Sequence, residues 1–326
     1  LVATAVLSYV VFKSSLSGLD HDDKAGTGFL GLVALALLLV GLLVPVKPVV
    51  EAGNRQLYYA ESEYHDIAVT EHLIDINSGQ MFHPLRVRRW LKFNENIESG
   101  TYPYEVRYWN AVGYTNQLHL PLLWVPQPKR LLVVGGGGAI VPSQYALHYP
   151  SLEHVDVLEL DPHVERTARD YFQVPASDKI KFTIGDARRN LKDLQGQKYD
   201  VIVLDAYSSG GQIPYHLMTW EFMREVREHL AEGGVLATNI ITAVRNPEHG
   251  ERSADLYLAD YKTLKASEAE AQGSGDAQPL FPTLYVFPKV YEGDSLHGTE
   301  HRYRNVIIIA TREERPLSYE AIVAKA

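Results

Sequence analysis

The chain has 326 residues, 46% of them apolar, and carries 31 Lys and Arg against 40 Asp and Glu for a formal net charge of −9. That acidic balance gives no long-range pull on phosphate backbones, which argues against nucleic acid and for a cationic partner. The absence of cysteine excludes disulfides, thiolate metal sites and cysteine nucleophiles.

The apolar residues are concentrated at the N-terminus. Gly28 to Val46 reads GFLGLVALALLLVGLLVPV, without a charge, and is long enough to cross roughly 30 Å of hydrocarbon as a helix. Residues 1–12 are also apolar and begin with Leu1, so residues 1–50 read as the end of a longer membrane region. Lys47 and Arg55 follow the helix, against Lys13 and Lys24 before it. The near tie is a weak vote for a cytoplasmic C-terminal part.

Residues 51–128 show short alternating and aromatic segments, such as LYYAESEYHDIAV and RRWLKFN, broken by Asn-Ser-Gly and Glu-Ser-Gly turns. They predict a small β-rich domain. From residue 129 to 326 the pattern changes to apolar runs alternating with helical stretches, the signature of βαβ units and a parallel, doubly wound sheet. The runs are 130–134, 155–160, 180–184, 199–205 and 234–240. Asp161 with Pro162 opens one helix as N-cap and first helical residue. A second helix is expected from Thr219 to Leu230, stopped by Gly233 and Gly234. Strands at 283–287 and 305–310 are expected as an edge hairpin, and 265–279 as a polar, Gly-rich loop.

Directly after the first of these strands comes Gly135-Gly136-Gly137-Gly138, with a helix expected near Pro142. Glycines suit a turn that needs positive φ and lets a ligand approach the backbone. Glu159 ends the next strand, where an acid can accept both hydroxyl protons of a ribose. An isolated Glu in an apolar strand is costly to desolvate unless a ligand answers it. Asp186 follows the third strand and Asp205 ends the fourth. Three carboxylates thus meet the edge where open α/β sheets bind ligands.

These residues resemble the spermidine synthase (polyamine aminopropyltransferase) family, especially its membrane-fused members, over roughly residues 57–312. YHDIAV (64–69) is similar to that family's Tyr-Gln-Asp-Ile-x-Val strand, VVGGGGA to its glycine motif, and VDVLELD to its acidic second strand. IGDA resembles its Gly-Asp-Ala turn, and YDVIVLDAYSSGGQIPYHLMT the long run of the fused members. The resemblance implies a Rossmann-like, class I methyltransferase-type sheet and an S-adenosyl co-substrate, S-adenosylmethionine or its decarboxylated form. It also implies that Glu159 holds the ribose, that Asp186 with Ala187 meets the adenine, and that Gly135 and Gly137 lie against the nucleoside. Asp205 and Tyr114, with His65 in the place of the family's Gln, would then face an amine acceptor as the catalytic candidates.

The departures fall on the acceptor side. Gly138 stands where the family carries an Asp, Gly210 near its catalytic Asp, and Asn116 for the acid after Tyr114. No acid occurs from Ala206 to Trp220, which leaves Asp205, Asp66, His65 and His216 as candidate bases. Putrescine transfer is therefore expected to be weak. S-adenosylmethionine-dependent methyl transfer and a non-catalytic nucleoside- or polyamine-sensing domain stay open on the same sheet. A nicotinamide site is disfavoured by the lack of a clean G-x-G-x-x-G. His297 and His301, in a polar stretch, suggest no metal, and the sequence leaves a homodimer open.

Overall fold

The computed structural model describes residues 54–73, 87–104, 110–175, 177–207, 213–243, 255–266, 278–290 and 303–325. The helix expected over 28–46, Gly210, His297 and His301 lie outside them. Among the described residues no helix is long and apolar enough to cross a membrane.

The first four strands, β1 (Asn54–Glu61), β2 (Asp66–Leu73), β3 (Val87–Phe93) and β4 (Asn96–Thr101), form an antiparallel sheet in chain order. One face carries Ile67, Val69, Leu91 and Phe93, which pack on Ile140, Val164 and Phe172 of the following α/β layer. Alternation dictates this, because successive side chains of a strand point to opposite faces. A buried ion pair secures the contact: Arg89 Nε donates to Glu71 Oε1 at 3.0 Å, and the same guanidinium donates to the Tyr171 carbonyl.

The larger sheet contains β5 (Arg130–Val134), β6 (His154–Glu159), β7 (Ile180–Ile184), β8 (Tyr199–Leu204), β9 (Leu230–Thr242), β10 (Thr283–Pro288) and β11 (Arg304–Thr311). Their order is β10-β11-β9-β8-β5-β6-β7. Strands β5 to β9 are parallel, and β11 runs antiparallel between β9 and β10. The helices are α1 (Ile140–His148), α2 (Pro162–Tyr171), α3 (Ala187–Asp193), α4 (Trp220–His229), α5 (Asp255–Lys265) and α6 (Tyr319–Lys325). Apolar clusters cover both faces of the sheet, which is why its parallel strands read as unbroken apolar runs. Asp161 caps α2 through the His163 N–H at 2.8 Å, with Pro162 at the first position.

Four local expectations are corrected. Gly233 and Gly234 do not stop α4, which ends at His229; Leu230 already has extended dihedrals and starts β9, and Gly233 is a left-handed residue inside that strand. Helix α1 starts at Ile140, two residues before Pro142, because Ala139 takes a left-handed conformation as its N-cap. Pro142 falls in the first turn, where a missing N–H breaks no helical bond. Within the segment expected to be β-rich, Gly113–Leu123 is a 3-10 helix whose Leu118 and Leu123 pack with Leu131 and Val133 of the large sheet. The polar stretch from 265 starts with the end of α5, a helix the residue pattern had not suggested.

Candidate active site

The sheet order reverses between β5 and β8, and the glycine turn leaves β5 at that point, where open α/β sheets form their ligand crevice. Three strand ends are tied together there. Gly135 N donates to the Leu158 carbonyl at 2.9 Å, and Asp205 N to the Val134 carbonyl at 2.9 Å. Gly135 has φ +98°, and a Cβ on it would lie 2.3 Å from the Asp205 carbonyl oxygen. Only glycine fits a backbone that is both left-handed and in contact with another strand.

A cavity of about 130 Å3 opens beside this turn, and Gly135, Gly137, Glu159, Asp186, Ala187, Asp205, Tyr114 and His65 all line it. The residues expected from the sequence are thus brought to one place. Asp66 is exposed on β2, and Asn116 is exposed on the 3-10 helix.

Glu159 is 8% exposed. Its Oε2 accepts the Gly136 N–H at 2.7 Å and its Oε1 the Asp161 N–H at 3.0 Å. Burial raises its pKa, and the backbone donors pull it back. Each oxygen can take a second hydrogen bond, so the carboxylate retains acceptor capacity for a pair of hydroxyls. A Cβ on Gly136 would stand 2.9 Å from Oε2, so the bare turn is what leaves that carboxylate reachable. The cradle fits a nucleoside.

Asp186 caps α3 through the Arg189 N–H at 2.9 Å, and its other oxygen meets His216 Nε2 at 2.9 Å. Its position owes something to helix capping as well as to the cavity. His65 stacks on Phe93 with ring centroids 4.3 Å apart, and burial lowers its pKa.

Another part of the cavity is built around Asp205. The Tyr114 hydroxyl donates to Oδ2 at 3.0 Å and Asn239 Nδ2 donates to Oδ1 at 2.8 Å. Burial pushes the carboxyl up, against these two donors. Beside it stands Glu98 of β4, which sequence reasoning missed. Burial, followed by the Asp205 charge, pushes Glu98 up to about 7. The pattern N-E-N-I-E-S reads as a polar hairpin, but β3 pairs with β4 through a bulge, Leu91 opposite Ser99 and Lys92 opposite Ile97, and Glu98 is the extra residue between them. Its neighbour Ser99 accepts the Gly138 N–H at 2.9 Å, holding β4 on the glycine turn.

The family description "spermine/spermidine synthase domain" matches residues 113–248. The chain is 35% identical over 239 residues to the polyamine aminopropyltransferase of Vibrio vulnificus (strain CMCP6), covering 72% of this chain and 74% of that one. It is 30% identical over 149 residues to putrescine N-methyltransferase 2 of Nicotiana attenuata, covering 44% of this chain and 37% of that enzyme's length. A probable spermidine synthase from Corynebacterium glutamicum ATCC 13032 shares the fold, with a TM-score of 0.60, 18% identity and coverage of 86% and 87%. With a Rossmann-like sheet, an antiparallel N-terminal sheet and an acid-lined crevice at the switch point, the chain belongs to the spermine/spermidine synthase family.

Proposed function

We propose that the chain transfers an aminopropyl group from decarboxylated S-adenosylmethionine to an amine acceptor. The observation that carries this reading is the carboxylate-lined half of the cavity beside the glycine turn, with Asp205 held by Tyr114 and Asn239. Buried carboxylates that face one space favour a cationic occupant. The 35% identity to a polyamine aminopropyltransferase points the same way.

In this reading Glu159 binds the ribose hydroxyls, Asp186 with Ala187 meets the adenine, and Gly135 and Gly137 let the backbone approach the nucleoside. Tyr114 and Asp205 orient the acceptor ammonium for in-line attack, and His65 closes the cavity beside Phe93. Alignment of this kind is the main catalytic contribution open to these residues, together with proton removal.

A methyltransferase reading shares the nucleoside cradle and is favoured by the similarity to putrescine N-methyltransferase. Purified protein given putrescine with either S-adenosylmethionine or its decarboxylated form separates the two. Release of methylthioadenosine with the decarboxylated donor is expected. S-adenosylhomocysteine release from S-adenosylmethionine instead would replace this reading by the second.

We further infer that residues 1–50 anchor the protein in a membrane with residues 51–128 and 129–326 on the cytoplasmic side. The uncharged run Gly28–Val46 supports this. Membrane fractionation of the full chain and of a chain lacking residues 1–50 tests it. A full chain found entirely in the supernatant would remove the anchor.

A further inference from the structure

The cavity presents four carboxylates, and three have both oxygens engaged. Glu159 takes the N–H groups of Gly136 and Asp161, Asp186 takes Arg189 N and His216, and Asp205 takes Tyr114 and Asn239. Glu98 is the fourth, and no described residue donates a hydrogen bond to it. It reaches the cavity from a different element, β4, and shares the space with Asp205.

Resting on the aminopropyl-transfer reading above, we propose that Glu98 is the catalytic base that takes the proton from the acceptor ammonium, while Asp205 holds that nitrogen in place. The acid that the resemblance leads one to expect near Gly210 is then supplied by β4.

The charges around Glu98 agree with this role. Burial and then Asp205 at the end of β8 raise its pKa, and the same two causes raise those of Tyr114 on the 3-10 helix and Tyr207 after β8, with the Glu98 charge adding the smallest part. His65, one residue before β2, lines the same space, with its own pKa lowered by burial. Two carboxylates that cannot both ionise cheaply accept an ammonium readily, since the cation lets both carry charge. An amine with a pKa of about 10.4 is closer to a base at about 7 than to an ordinary carboxylate, which narrows the uphill proton transfer.

The step balances. The Glu98 carboxylate takes one proton from R–NH3+ and becomes a carboxylic acid. The freed nitrogen lone pair forms a bond to the methylene carbon next to the sulfonium, and the C–S bond breaks with its electron pair going to sulfur. The products are a secondary ammonium and a neutral thioether, and Glu98 releases its proton to solvent.

The test is Glu98→Gln in the full chain, with methylthioadenosine release from decarboxylated S-adenosylmethionine and putrescine followed from pH 5.5 to 9. Wild-type kcat/KM is expected to rise through about pH 7 and level off. Glu98→Gln should fall by about 10²- to 10⁴-fold, lose that limb, and instead gain about tenfold per pH unit as free amine accumulates. Methylthioadenosine affinity by calorimetry should stay within twofold. A Glu98→Gln enzyme with the wild-type limb and a rate within threefold overturns the assignment and leaves aminopropyl transfer standing. Wild-type protein that binds methylthioadenosine yet releases none in the presence of amine overturns both. Should Glu98→Gln lose nucleoside binding, Glu98→Asp decides. Its shortened carboxylate should keep the limb with kcat at least tenfold lower, and wild-type kcat there overturns the assignment.

Discussion

The Tyr114 hydroxyl donates to Asp205 Oδ2 at 3.0 Å, joining the 3-10 helix to the end of β8. The network continues across the sheet, since Asn239 of β9 holds the other oxygen and Asn305 of β11 donates to Asn239 at 3.2 Å. Tyr114→Phe removes one of the two donors that oppose the effect of burial on Asp205. Losing a hydrogen bond to a charged group costs about 1–3 kcal/mol. The acceptor KM should therefore rise about 10- to 100-fold, with methylthioadenosine affinity retained. Steady-state kinetics and calorimetry check it, and an unchanged KM would detach Asp205 from the acceptor.

Glu159→Gln places an amide NH2 where the wild type accepts two backbone N–H groups, Gly136 at 2.7 Å and Asp161 at 3.0 Å. One donor must then face another. Loss of that bond and of the charge that strengthens ribose contacts should cost on the order of 2–3 kcal/mol of nucleoside affinity. Titration with methylthioadenosine measures it, and wild-type affinity would move the ribose elsewhere.

Gly138→Asp should not supply the acid that the family resemblance implies for the glycine turn. A Cβ there meets Ser99 Cβ at 2.9 Å and Phe172 Cδ1 at 3.0 Å. Overpacking of this kind costs about 1–3 kcal/mol. A lower Tm with no gain in turnover is expected. A faster enzyme of unchanged Tm would show that β4 gives way easily.

Asp260 of α5 is fully buried, and among the described residues neither of its carboxyl oxygens has a hydrogen-bond partner. Burial raises its pKa from 3.8 to about 7 in the folded protein, a difference worth about 4 kcal/mol between the two protonation states. The folded state therefore holds a proton that the unfolded chain gives up, and stability falls as pH rises from about 4 to about 7. Asp260→Asn should leave Tm unchanged near pH 4 and raise it at pH 8. Equal Tm values at pH 8 would mean that the wild-type side chain finds a partner when ionised.

The central strands were legible because β5, β6 and β8 are buried on both faces and leave uninterrupted apolar runs, whereas amphipathic helices and half-exposed strands leave weaker traces. The carboxylates Glu159, Asp186 and Asp205 were legible for the same reason, as acids at the ends of apolar strands. Glu98 was not, because an acid in a polar hairpin looks solvated until the register of β3 against β4 is known. Helix α5 hides its buried Asp260 behind a composition that resembles a surface segment. The 3-10 helix of Gly113–Leu123, with Pro121 inside it, has neither helical nor strand periodicity to detect.

The hydrogen bond from Gly138 N to Ser99 Oγ makes residues 99 and 138 a single unit of inheritance. A chimaera that grafts another relative's N-terminal sheet onto this α/β layer imports a β4 cut to a different turn. Where the turn bears a side chain, the strand must withdraw from it, and the acid one residue before Ser99 would withdraw as well. Residues 98, 99 and 138 should therefore be exchanged together, and libraries that vary them one at a time should recover mostly inactive protein.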